Sequence, residues 1–220
     1  MDTITFGLIS EGVSEHNIIK HIIARFLEDD NCRIRQIQPE VDKRGKQIGY
    51  GGWLGVLNYC KEENFDNILS VNDYIVIQID TDTSEQINYD VKKTKENNIP
   101  KNEEELYDDI CKRLLKNISV EKRGEYDGKI LFAICFNETE CWLLPIYYTD
   151  DTKCSTSNCI YKLNQKIPLH VPDRDKNSPV AQRAYQEILK KLRNPEKIKA
   201  CSEHNTGFRK FMAQLNKINN

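Results

Sequence analysis

The amino-acid sequence predicts an α/β fold: a doubly wound, mostly parallel sheet, followed by an irregular and helical C-terminal extension. Three observations predict it. Apolar runs recur at 6–9, 74–79 and 130–136; the central one is rich in β-branched residues, and its near-continuous apolarity marks a strand buried on both faces, as in parallel sheets. Segments with helical spacing of apolar residues lie between the runs, and alternation of strand and helix favours a doubly wound core. Each run is also followed by acidic residues: Glu11 after the first, Asp80 and Asp82 after the second, Glu138 and Glu140 after the third. Open α/β sheets collect their ligands outside the carboxyl ends of the strands.

Residues 3–9 read as the first buried strand and 10–14 as a turn, with Ser14 as a helix N-cap. Ile18, Ile19, Ile22, Ile23 and Phe26 then recur at helical spacing, which predicts an amphipathic helix over 15–27. Residues 32–38 alternate as a half-buried strand does. The stretch 42–55 holds Gly45, Gly49, Gly51, Gly52 and Gly55 together with Lys43, Arg44 and Lys46, and a helix is expected over 53–60. The central strand is expected at 73–80. Residues 83–101 are polar and asparagine-rich and read as a loop, 102–115 as a helix, and 129–135 as the next strand. Residues 148–179 have few periodic apolar positions and hold Pro168, Pro172 and Pro179, which predicts irregular structure. Helices follow at 179–192 and 206–215. Residues 1–147 are assigned to the α/β domain, and 148–220 to the C-terminal segment and helices packed on it.

Composition sets the limits. With 220 residues, 30% charged and 39% hydrophobic, the chain is long enough to bury a core without staples. A net charge of -2 gives no global pull toward nucleic acid or membrane, so a nucleic-acid surface must be a local basic patch. No stretch approaches the length of an apolar membrane span, and no N-terminal signal precedes the first strand, so a cytoplasmic protein without membrane contact is expected. The eight cysteines do not suggest a disulfide framework. Cys32, Cys60, Cys111, Cys135 and Cys141 read as small buried hydrophobes with reduced thiols. Cys154, Cys159, Cys201 and His204 have a loose zinc-like spacing. His16 and His21 are expected on a helix surface, and most late lysines and arginines on solvated faces.

The acidic residues carry the chemistry. Carboxylates delivered to one sheet edge repel one another unless a cation sits between them, and hard divalent cations take oxygen ligands of this kind. Asp80 and Asp82, two apart after a buried strand, point to one ion; the plainer alternative is a loop whose aspartates cap backbone amides. Glu15 in the first helical turn suits the helix dipole and stands behind Glu11. Glu138 and Glu140 either complete the metal site or begin an ordinary acidic helical turn anchored by Trp142. Lys43, Arg44 and Lys46 are the candidates for phosphate contact, because glycines let backbone amides approach an anion.

The order of these motifs resembles a TOPRIM-type domain: Glu11-Gly12 after the first strand, then Asp80-Thr81-Asp82 after a later one. The string Glu11-Gly12-Val13-Ser14-Glu15 and the acid-rich segment Glu138-Thr139-Glu140-Cys141-Trp142-Leu143-Leu144 are similar to stand-alone TOPRIM-like proteins of bacterial defence, several of which accompany an ABC-type ATPase. The resemblance implies a Mg²⁺ (or Mn²⁺) site at Glu11, Asp80 and Asp82 and a nuclease of the OLD type acting on nucleic acid in anti-phage defence. In it, Glu11 binds metal or acts as general base or acid. The pattern departs from the family where Thr83-Ser84-Glu85 replaces the usual glycine near the acidic pair, and where no lysine clearly replaces the basic catalytic residue, Lys43 and Lys46 being the candidates. Two rival readings stay open. Asp80-x-Asp82-x-Ser84 approximates the nucleophile motif of haloacid-dehalogenase-like phosphatases. Alternatively the chain is a non-catalytic subunit of an ATPase complex, with Trp142, Ile146, Tyr147, Tyr148 and Phe208 available to an interface.

Overall fold

The computed structural model describes residues 3–27, 32–172 and 175–218. It opens with β1 (Thr5–Ile9), α1 (Val13–Phe26) and β2 (Arg33–Gln38), then α2 (Gly52–Tyr59), α3 (Glu62–Leu69) and β3 (Tyr74–Asp80). After a long irregular segment come α4 (Glu103–Leu114), α5 (Val120–Tyr126) and β4 (Ile130–Cys135). A 3-10 turn at Thr139–Ile146 and a second at Asp151–Cys154 lead into α6 (Cys159–Asn164), α7 (Pro179–Leu189), α8 (Pro195–Ser202) and α9 (Thr206–Asn216).

The four strands form one all-parallel sheet in the order β2-β1-β3-β4. From β1 the chain moves outward to β2, then returns past β1 to β3 and β4, so the strand order reverses between β1 and β3. In a doubly wound sheet that reversal opens a crevice at the carboxyl ends of the two strands. The pleat divides the core in two. Phe6, Leu8, Val76, Leu131 and Ala133 face the layer containing α1 and the C-terminal helices. Ile9, Ile75, Ile77, Ile79 and Ile134 face the layer of α2 to α5.

The C-terminal helices close the β4 side. Trp142 is fully buried and stacks on Phe208 with ring centroids 4.6 Å apart. These two rings therefore belong to the core rather than to a docking surface. Gly207 lies so close to β4 that a Cβ there would stand 1.9 Å from Ile134 O. Gln214 on α9 pairs with the backbone of β4, accepting from Phe132 N at 2.8 Å and donating to Phe132 O at 3.1 Å. A helix side chain thus satisfies groups that an edge strand otherwise leaves open.

Several sequence expectations need correction. Ser14 is not the N-cap of α1; Gly12 is, and Ser14 lies inside the helix with its hydroxyl donating to Lys176 O. The short helices α3, α5 and α8 were not expected, and α6 interrupts the segment read as irregular. The predicted helix over 179–192 stops at Leu189. His16 is buried rather than on the surface, and burial lowers its pKa to about 4. His21 is half-buried and its Nε2 meets Leu192 O at 2.8 Å. Cys141, read as a reduced thiol, is bonded to Cys159 across 18 residues, where the first 3-10 turn meets α6. Among the described residues no helix is long and apolar enough to cross a membrane.

Candidate carboxylate site

The turn after β1 places Glu11 at the crevice. Its N–H donates to Gln78 Oε1 at 3.0 Å, and its carbonyl accepts from Gly52 N at 2.7 Å. A Cβ at Gly12 would sit 2.5 Å from Glu15 Oε2, so a larger residue there displaces the end of that side chain, which lies one turn into α1.

Asp80 ends β3, the strand next to β1. Its N–H donates to Glu11 Oε1 at 2.7 Å, which ties the two acids together across the reversal point. Its Oδ1 accepts from Gln78 Nε2 at 3.0 Å and from Thr139 Oγ1 at 2.8 Å. Gln78 also donates to Thr139 Oγ1 at 3.0 Å, so one buried amide joins β1, β3 and the turn after β4. Tyr89 O–H donates to Asp80 O at 3.1 Å from below.

Glu140 is fully buried and takes a different set of partners. The hydroxyl of Tyr185 on α7 donates to its Oε1, and Lys176 Nζ lies 3.1 Å from its Oε2. Lys176 also lies 3.7 Å from Glu15 Oε1. The segment that carries Lys176 is clamped to the start of α1, with Ser14 N donating to Asn177 Oδ1 at 3.3 Å.

The remaining expected residues are placed less centrally. Asp82 is exposed, and its Oδ1 accepts from Thr83 N at 2.7 Å, as in the capping alternative. Its charge still reaches Glu11, whose pKa it helps to raise. Glu138 turns toward α6 and accepts from Cys159 N and Ile160 N at 3.2 and 3.3 Å, capping that helix. It also lies beside the sulfurs of Cys141 and Cys159. Arg44 and Lys46 line a cavity of about 520 Å³ with Val13, Asp175, Asn177 and Gln182, on the segments that flank Glu15 and Lys176 in sequence. Lys43 is exposed on the same loop. The zinc-like set is not assembled among the described residues. Cys159 is bonded to Cys141, while Cys154 Sγ lies 3.8 Å from His204 Nδ1 and Cys201 is buried.

Electrostatics separates the acids into two groups. Burial pushes the Glu11 carboxyl up to about 8, with Glu15 and Asp82 adding to the rise and the Asp80 N–H opposing it. Burial, then the Glu11 charge, holds Asp80 well above the usual carboxylate range. Burial also raises Glu15, against the pull of Lys176. For Lys176 burial acts downward, yet the charges of Glu140, Glu15 and Asp80 outweigh it and hold the ammonium above the ordinary lysine range. Among the described residues no ion pair reaches Glu11, Asp80 or Asp82, whereas Lys176 bridges Glu15 and Glu140. Lys176 acts on Glu11 and Asp80 only from beyond ion-pair distance, where its pull is smaller than the burial that raises both, and these hard oxygen donors fit Mg²⁺ or Mn²⁺.

Sequence reasoning missed Lys176, Gln78, Thr139 and Tyr185. Only Gln78 carried a legible signal: it is the one polar residue inside the apolar run of β3, two positions before Asp80 and so on the same face. No family model, no curated protein and no solved structure matches this chain.

Proposed function

We propose that this chain is a Mg²⁺-dependent nuclease of the TOPRIM type, hydrolysing phosphodiester bonds in nucleic acid. The observation that carries the reading is the pairing of Glu11 with Asp80 at the reversal point between β1 and β3. Both carboxyls are disfavoured as anions by burial, Glu11 further by the charges of Glu15 and Asp82 and Asp80 by that of Glu11, and a divalent cation removes that penalty.

In this reading Glu11 and Asp80 hold the ion and Asp82 approaches it from the rim. When bound, Mg²⁺ polarises the phosphate and makes a water molecule more acidic. Gln78 and Thr139 fix the rotamer of Asp80, since both donate to its Oδ1. Lys176 neutralises Glu140 and Glu15, which keeps their charges from competing for the ion. Arg44 and Lys46, on the wall of their cavity, hold a phosphate flanking the scissile one. The TOPRIM resemblance extends the proposal to a defence role beside an ATPase partner.

The test is cleavage of end-labelled single- and double-stranded oligonucleotides in Mg²⁺ and Mn²⁺. Wild-type chain cuts one of them, and the double variant Asp80→Asn with Asp82→Asn does not. Cleavage retained by the double variant contradicts the proposal.

A further inference from the structure

A second charged cavity lies away from the carboxylates, between the irregular segment 83–101 and α4. It measures about 630 Å³, and its lining holds six basic side chains against three acidic ones. The chain as a whole is slightly acidic, so this excess is local.

The basic residues there have two different duties. Arg113 donates from Nε to Tyr89 O at 2.9 Å and also to Asn88 O, and Lys101 lies 2.7 Å from Asp109 and 2.8 Å from Lys92 O. These two hold the irregular segment against α4. Lys92 and Lys116 make no ion pair among the described residues, and Lys112 reaches Asp109 only at 3.4 Å with its side chain 77% exposed. Three ammonium groups are therefore available to an outside anion.

The cavity is joined to the carboxylate site. Lys93 Nζ donates to Asp82 O at 2.9 Å and contacts Asn137 Oδ1 at 3.4 Å. Tyr89, whose carbonyl Arg113 grips, donates its hydroxyl to Asp80 O. The Asp80–Asp82 turn is thus tied to the cavity wall twice, through Lys93 next in sequence to the lining residue Lys92, and through Tyr89 to the lining residue Arg113. The cavity lies apart from the Arg44–Lys46 loop, which flanks a different one.

We propose that this cavity binds the phosphate backbone of a single nucleic-acid strand running out of the carboxylate site. The identity of the ligand rests on the nuclease reading; the cavity and its exposed cations do not. Flexible ammonium groups without a base-reading partner suit sequence-independent backbone contact.

The experiment is a fluorescence-anisotropy titration with a labelled oligothymidylate, in EDTA, across a series of KCl concentrations. Each single-strand phosphate contact contributes about 0.7 to the slope of log affinity against log salt. The variant Lys92→Ala, Lys112→Ala, Lys116→Ala is expected to flatten that slope by about 2 and to weaken binding on the order of 10-fold at low salt. The variant with Arg at all three positions is expected to keep the wild-type slope, which excludes a folding defect as the cause. An unchanged slope and affinity in the Ala variant overturns the proposal. Displacement of the strand by ATP at matched phosphate concentration also overturns it and assigns a nucleotide to the cavity. EDTA removes divalent ions, so a failure of the metal reading leaves this titration intact and shows itself only in the cleavage assay.

Discussion

The two halves of the carboxylate cluster solve the same problem in opposite ways. Glu140 and Glu15, on the α7 side, are buried and supplied with a lysine, and Glu140 also has the Tyr185 hydroxyl. Glu11 and Asp80, on the strand side, are held by backbone and amide hydrogen bonds, with no ion pair among the described residues. A buried charge with its partner built in is a structural element. A buried carboxyl pair held rigid without one, its pKa values raised, is a candidate functional site, here the proposed place of the cation. The contrast separates residues that build the site from those that meet its ligand.

The largest effect is expected on the strand side. On the proposed function, Asp80→Asn or Glu11→Gln removes a proposed metal ligand, and cleavage should fall by about 4 kcal/mol in barrier terms, on the order of 10³-fold. Steady-state rates in saturating Mn²⁺ read this directly. A fall smaller than about tenfold breaks the comparison at its functional end.

Lys176→Met probes the other half. It leaves Glu140 and Glu15 buried without their cation, and such a loss costs about 3 kcal/mol, a fall of roughly 6–12 °C in Tm. Adding Glu140→Gln to Lys176→Met should restore most of that loss. If the single variant melts like wild type, the lysine is not the counter-charge described here.

A smaller effect of opposite sign is expected for Glu11→Gln in metal-free protein. The folded pKa of Glu11 is raised from 4.5 to about 8. Its contribution to stability is therefore fully present below pH 4.5 and is lost as pH rises toward 8. Glu11→Gln should flatten the decline of Tm between those pH values. At pH 8 it should gain about 2 kcal/mol, after allowing for a weaker hydrogen bond from Asp80 N–H to an amide oxygen. Thermal melts in EDTA across that range test the sign. A variant less stable than wild type at pH 8 contradicts it.

Glu138→Gln sharpens the boundary of the site. Glu138 caps α6, so the change should cost about 1 kcal/mol of stability and leave cleavage within a few-fold of wild type. A loss as large as that of Asp80→Asn would return Glu138 to the metal.

How much of this was legible in the sequence follows from what each residue depends on. The buried strands declared themselves because burial on both faces leaves nearly unbroken apolar runs at 74–79 and 130–136. Glu11 and Asp80 were legible because each comes at the end of an apolar run, Asp80 directly after 74–79 and Glu11 one residue past 6–9, and strand ends fix position in space. The short helices α3, α5 and α8 were not legible, since seven or eight residues give too few turns to display a period. Lys176 was hidden for another reason. It lies in a stretch without periodicity and meets Glu15 and Glu140 only after the chain has crossed the sheet, a pairing no local pattern encodes. The bond between Cys141 and Cys159 escaped notice on the same ground.

The most direct test of the central claim is Mn²⁺ calorimetry on the wild-type chain, on Glu11→Gln and on Glu140→Gln. Wild-type chain should bind, Glu11→Gln should lose at least about tenfold in affinity, a cost of about 1.4 kcal/mol, and Glu140→Gln should bind nearly as wild type does. Equal binding by wild type and Glu11→Gln would contradict the account, because the acids at the reversal of the sheet would then not be where the cation sits.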